Sequence, residues 1–339
     1  MVKRLRWELL GLAFLILIAP AATAAPALEP ANTYGVIVGV LSWQNPAIGR
    51  FSTANRKDQE LHDELIKRGV PRENLKLLLD NQATLANIRK SLRAVAGRAR
   101  ADATFVFYYA GHGSKLPAGD VGLLNYDSGP GQASLAGTEV ADLLQQHFKG
   151  GRVLLLADCC HSGGLKAAAE RLSKKGIAAA SLTSADASNI STGNWTFTQT
   201  ILDALRGDPV FDANADGRIT LEETAREVAA AMKHREMQKA GYALHGLAAD
   251  YELARTATPR RAAPPVGADL AVYDYVQATD AGGRNRPARI VEWKEGNYVV
   301  QFYDYTEKRT VLRPAGDLKK VLFSTPHWNP CLCLPEKVS

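Results

Sequence analysis

The 339-residue chain is 46% hydrophobic and 22% charged. This is the composition of a folded globular protein, with room for one core of about 220 residues and a small second module, and it excludes extensive disorder. The formal net charge of +6 comes without a lysine/arginine block or a nucleic-acid motif, so no nucleic-acid partner is expected.

The first element is not part of the fold. Lys3, Arg4 and Arg6 precede an apolar run from Leu9 to Ile18, followed by the small-residue pattern Ala22-Thr23-Ala24. This order predicts a signal peptide over residues 1–24 and an exported protein, periplasmic or secreted. Pro20 and the shortness of the run, well under the ~20 residues of a membrane span, speak against an anchor, so no stable span is expected after cleavage. The four cysteines, at 159, 160, 331 and 333, are too few for a disulfide scaffold even in an oxidising compartment. Cys331 and Cys333 are so close in sequence that a bridge between them would be strained.

Continuous apolar runs then predict strands at Tyr34–Val40, Leu75–Leu79, Thr104–Ala110, Val153–Ala157 and Ile177–Leu182. Runs without alternation suit strands covered on both faces, as in a parallel sheet. Helical patterning falls between and after them, at Asn55–Lys67, Thr84–Arg98, Thr138–Phe148, Trp195–Leu205 and Leu221–Lys239. The expected fold is α/β, a three-layer sandwich with a mainly parallel central sheet, over residues 32–255. Residues 165–176 carry Lys166, Arg171, Lys174 and Lys175. They read equally as a solvated helix and as a processing segment.

Asp212, Asn214, Asp216, Arg218, Thr220 and Glu223 fall at positions 1, 3, 5, 7, 9 and 12 of a twelve-residue loop, with Gly217 at position 6. Oxygen ligands at this spacing around a glycine turn predict a calcium site of the EF-hand kind, with the Arg218 carbonyl as one ligand. An aspartate-rich loop capping the next helix without metal is the alternative. No cofactor is expected for catalysis. A proline-rich linker follows at 256–267. Short β-like runs with a turn at Glu295-Gly296-Asn297 then predict a small β-barrel over 268–325, before a tail at 326–339.

Two of the strands end in chemistry. Thr104–Ala110 runs into Gly111-His112-Gly113-Ser114, and Val153–Ala157 into Asp158-Cys159-Cys160-His161-Ser162-Gly163. Each motif sets a reactive side chain at a strand end, where sites form in open α/β sheets. His112 lies 48 residues before Cys160. A thiol is nucleophilic as thiolate, and a neighbouring imidazole both lowers its pKa and carries the proton, so Cys160 is expected as nucleophile and His112 as base. The main-chain N–H groups of Gly113 and Cys160 are the expected oxyanion donors. His161, adjacent to Cys160, would point away from it on an extended chain.

The motifs Tyr108-Tyr109-Ala110-Gly111-His112-Gly113-Ser114 and Asp158-Cys159-Cys160-His161-Ser162-Gly163 resemble those of the caspase-like peptidases, and among them the metacaspases. The resemblance extends to Gly122-Leu123-Leu124, Leu182-Thr183-Ser184 and Trp195-Thr196-Phe197-Thr198. It implies a cysteine endopeptidase acting on proteins or peptides through Cys160 and His112. It also implies an acid at the base of the specificity pocket, here Asp158, which favours lysine or arginine at the cleavage point. A second pocket acid is supplied in the family by an Asn-Asp pair. Here the pair is interrupted, Asn55-Arg56-Lys57-Asp58, which leaves Asp58 as candidate.

The stretch from Arg286 to Tyr305 resembles a Tudor or agenet-type SH3-like barrel. A peptide ligand held in a cage of Tyr275, Trp293, Tyr298, Tyr303 and Tyr305 is one implication. Core and cross-strand packing of these rings is the other, and the favoured one. A caspase-fold scaffold with an idle site, binding through this barrel, is the alternative to an enzyme.

Overall fold

The computed structural model describes residues 26–129, 132–256, 268–303 and 308–320. The expected signal peptide, linker, tail, Cys331, Cys333, Tyr305 and the side chain of Tyr303 lie outside the described residues.

In chain order the first region contains β1 (Thr33–Gly39), α1 (Lys57–Lys67), β2 (Leu75–Leu79), α2 (Leu85–Arg98), β3 (Thr104–Ala110), β4 (Gly113–Lys115), β5 (Val121–Leu123) and β6 (Leu135–Ala136). It continues with α3 (Gly137–His147), β7 (Arg152–Asp158), α4 (Leu165–Ser173), β8 (Ala178–Thr183), α5 (Thr196–Leu205), β9 (Arg218–Thr220), α6 (Leu221–Glu236), β10 (Gly241–His245) and β11 (Glu252–Arg255). The five predicted strands are present, with ends moved by a residue or so. They form a sheet in the order β10-β8-β7-β3-β1-β2, parallel except for the edge strand β10, which runs antiparallel to β8.

Both faces of the sheet are covered, as the unbroken apolar runs require. Side chains alternate across a strand, so Val36, Val38, Phe105, Phe107 and Tyr109 pack beneath α2, α3 and α4. Ile37, Val106 and Tyr108 pack on the other face beneath α1, α5 and α6. Strand order reverses at β1, with β2 on one side and β3 on the other. The crevice beyond the carboxyl ends of β1 and β3 is thus the topological switch point, where an open sheet leaves room for a ligand.

The basic segment at 165–176 is mostly helix α4. Leu165, Ala168, Ala169 and Leu172 are buried in the first core, while Arg171 pairs with Asp142 and Lys174 with Glu170. Short pieces had no clear signal in the sequence: the three-stranded sheet β4-β5-β6, the pair β9-β11 and β10. Each is too short to show a period.

Residues 268–320 fold on a core of their own around Val276, Ile290, Val300 and Phe302. The strands are β12 (Tyr275–Thr279), β13 (Asn285–Lys294), β14 (Asn297–Tyr303), β15 (Lys308–Arg313) and β16 (Lys319–Lys320), in one antiparallel sheet ordered β15-β14-β13-β12-β16. The predicted turn is there, with positive φ at both Glu295 and Gly296, the geometry that matches the twist of a two-residue hairpin. The sheet meets the first region on α6. Glu227 and Arg289, both buried, form an ion pair, the Tyr275 hydroxyl donates to Glu227 at 3.4 Å, and His234 stacks on Tyr275 at 4.7 Å. Arg289 sits over the Tyr275 ring at 4.6 Å, and Trp293 packs edge-on against Tyr298. For Tyr275, Trp293 and Tyr298, packing, the favoured reading, is what the geometry displays.

Candidate active site

β3 and β7 are neighbours in register, with Ala110 opposite Asp158. The two motifs therefore leave the sheet side by side. Gly111 takes φ of +151°, a conformation open to glycine, and turns the chain away from β3. After Cys160, His161 at φ +55° turns the chain into the helix α4. Gly113 lies against the nucleophile's main chain. A Cβ there would sit 2.0 Å from the Cys160 carbonyl oxygen and 2.9 Å from the Cys159 sulfur, so only glycine allows the two motifs to approach this closely.

His112 is held from three sides. Its ring lies 4.6 Å from Trp43 and 4.5 Å from Phe51, and its Nε2 is 2.8 Å from the Gly49 carbonyl oxygen. A carbonyl only accepts, so in the neutral ring Nε2 carries the proton and Nδ1 holds the lone pair. Burial lowers the His112 pKa below its ordinary value, against the opposing pull of the Gly49 carbonyl and of Cys160. The ring is thus neutral near pH 7, the state a base needs. The Tyr109 hydroxyl lies 2.8 Å from the His112 carbonyl oxygen, and Leu124 N–H donates to the same oxygen.

That last bond fixes a further point. In the antiparallel ladder it makes Gly113 and Leu123 a non-hydrogen-bonded pair, so the Gly113 N–H points away from β5. Cys160, a buried thiol, receives the Ser191 N–H on its sulfur at 3.2 Å, with the Ser191 carbonyl 3.8 Å away.

A cleft of about 250 Å³ opens beside the thiol. Phe51, Asn55, Gly111, Asp158, Cys160, Ser191, Thr192 and Asn194 are among the residues that line it. The Asp158 carboxylate accepts from the Thr198 hydroxyl at 2.7 Å and the Thr198 N–H at 3.3 Å, in the first turn of α5. Burial pushes its pKa up to about 7, the bonds from Thr198 and Ser184 opposing this and the charge of Glu236 adding to it. A cation entering the cleft would favour the ionised form.

Asp58 is elsewhere. Its carboxylate is fully buried and bidentate to Arg56, which also reaches the Gly39 carbonyl and Asp80, and Asp58 is not among the residues lining the cleft. The arginine that interrupts the Asn-Asp pair neutralises it. His161 is also engaged elsewhere, its Nδ1 3.1 Å from the Ala187 carbonyl oxygen. Sequence reasoning did not find Trp43, Phe51 and Gly49 around the base, Ser191 on the thiol, or Glu236. The Trp195–Thr198 stretch, noted for its resemblance, was the one signal pointing to Thr198.

In the acidic loop the carboxylates are turned onto main-chain donors. Asp212 accepts from the N–H groups of Asp216 and Gly217, each at 3.0 Å. Asp216 accepts from Arg218 N–H at 2.8 Å, and Asn214 Oδ1 from Asp216 N–H at 3.1 Å. Glu223 accepts from Ala213 N–H and, with Thr220, forms a reciprocal cap on α6. Among the described residues no three acidic, histidine or cysteine side chains are gathered as a metal cluster. The oxygen donors and the turn at Gly217, φ +82°, nonetheless fit a calcium ion in chemistry and spacing.

A mainly parallel sheet covered on both faces, with a thiol and an imidazole leaving the adjacent strands β7 and β3 beside its switch point, is the arrangement of the caspase-like cysteine peptidases. The family description for the caspase domain matches residues 53–272, and the chain belongs to this cysteine peptidase family. It is 31% identical over 112 residues to Metacaspase-4 of Arabidopsis thaliana and 32% identical over 112 residues to Metacaspase-6 of the same plant. These alignments cover 30% of the chain and only 27% and 30% of those relatives. Among solved structures, the Drosophila initiator caspase Dronc matches at 11% identity and TM-score 0.42, over 68% of this chain and 87% of that one. Caspase-1 from Spodoptera frugiperda matches at 13% identity and TM-score 0.44, over 71% and 98%.

Proposed function

We propose that the chain is an active cysteine endopeptidase that cleaves after arginine or lysine, with Cys160 as nucleophile and His112 as base. One observation carries the specificity: the buried Asp158 carboxylate lines the same cleft as the Cys160 thiol. A basic side chain entering the cleft exchanges hydration for that carboxylate, bidentately if it is arginine. Asp158 acts alone, since Asp58 is neutralised by Arg56.

In the reaction the Cys160 proton passes to His112 Nδ1, and the thiolate adds to the scissile carbonyl carbon. The oxyanion that forms is met by the N–H groups of Gly113 and Cys160. The protonated imidazole then gives its proton to the leaving amine as the C–N bond breaks, forming a thioester. Water, deprotonated by His112, hydrolyses the thioester and regenerates the thiol.

The test is hydrolysis of fluorogenic peptides ending in arginine, lysine or aspartate by residues 25–339 and by Cys160→Ala. Cleavage after arginine and lysine that disappears in the variant is expected. Cleavage only after aspartate would refute the pocket assignment, and no cleavage under reducing conditions would favour the idle scaffold.

A calcium ion belongs to the same proposal. Asp212, Asn214, Asp216, the Arg218 carbonyl, Thr220 and Glu223 would hold it, supplying charge that fixes the loop ahead of α6. Calcium should raise the melting temperature of the wild type and leave Asp212→Ala unchanged; equal response of the two would exclude this loop. An SH3-like identity for the C-terminal sheet is part of the reading.

A further inference from the structure

Part of the cleft lining, and the Ser191 N–H that meets the thiol, belong to a segment, Ile190–Trp195, that has no regular structure until α5 begins at Thr196. Such a stretch holds a fixed shape only if something outside it ties it down. What ties it is the far end of α6. The carboxylate of Glu236, the last residue of that helix, accepts from the Thr192 hydroxyl at 2.8 Å and from the Asn194 amide at 2.9 Å, and also from the Thr196 hydroxyl. Two residues on, Gln238 donates to the Ile190 carbonyl oxygen at 2.8 Å.

The tied residues flank or form functional surface. Thr192 and Asn194 line the cleft, and Ser191 between Ile190 and Thr192 gives its N–H to the Cys160 sulfur. Thr196 opens the helix turn whose Thr198 grips Asp158. One carboxylate thus fixes both the wall facing the substrate side chain and the donor on the nucleophile. Bonds to a charged acceptor are the strong kind, and three converge here.

We infer that Glu236 is a positioning residue for the peptidase, holding the Ser191–Trp195 wall in the shape that receives a basic side chain beside Cys160. This rests on the peptidase reading and deepens it. Glu236 is not among the residues lining the cleft, so its removal acts through the wall.

The experiment compares Glu236→Ala and Glu236→Gln with the wild type on an arginine-terminated peptide, with amide hydrogen exchange on the same three proteins. Glu236→Ala should raise KM at least about tenfold, as expected for losing two or more bonds to a charged group. Glu236→Gln, which keeps the shape and an acceptor oxygen, should recover most of that loss. A purely structural role would lower the active fraction and hence apparent kcat at unchanged KM, and that result would overturn the inference. So would a glutamine variant no better than the alanine one.

Exchange separates this failure from failure of the peptidase reading. If the wild type cleaves nothing, faster exchange over 190–196 with α6 unchanged over 221–233 in Glu236→Ala still upholds the clamp. Unchanged exchange at 190–196 sinks it.

Discussion

Asp158 has two lives, one in folding and one in binding, and pH separates them. Its pKa is raised from the ordinary 3.8 to about 7, so the folded state binds its proton more tightly than the unfolded chain does. The fold therefore bears no penalty from this group at pH below about 4. It loses stability as pH rises from there to about 7, by up to about 4 kcal/mol from a shift of this size. Asp158→Asn, which cannot ionise, should gain stability relative to the wild type between pH 5 and pH 8 in denaturant titrations. Activity runs the other way. Ionised Asp158 is the form that attracts a cation, so kcat/KM for arginine peptides should rise through pH 7 in the wild type. In Asp158→Asn it should be about a hundredfold lower and lack that rise, the size of a lost buried charge pair. His112, pushed below its ordinary value by burial, loses its proton earlier and does not account for the rise.

Among the elements, α6 does the most that periodicity cannot express. Its first turn is capped by Thr220 and Glu223, its middle meets Arg289 of β13 through Glu227, and its last residue holds the pocket wall. The Glu227–Arg289 pair is buried at the junction with the C-terminal sheet, where charges are tolerated only when paired. Glu227→Ala removes the carboxylate that Arg289 pairs with across this junction and should cost about 3–5 kcal/mol of the cohesion between the two parts. Calorimetry should resolve the single transition of the wild type into two. A single unchanged transition would mean that the packing of His234 on Tyr275 suffices. The long helices were legible because each covers at least two periods of a face, and the central strands because each is an unbroken apolar run. β10 was not, since Tyr242 and Leu244 sit on an edge strand with mixed exposure and give no clean alternation.

For the whole molecule, the sequence determined the layered α/β architecture, the strand ends at His112 and Cys160, and the acid next to them. Buried strands must be apolar along their length, and a site at a strand end needs small turn-forming residues, so both leave a local trace. Tertiary structure alone decided that Asp58 belongs to Arg56 and that the rings of Trp43 and Phe51 pack against the imidazole of His112. It likewise put the Ser191 N–H on the Cys160 sulfur and bonded Thr192, Asn194 and Thr196 to the far end of α6. None of these has a local trace, because each joins residues distant in sequence through hydrogen bonds and ring contacts that arise only once the sheet has brought their elements together.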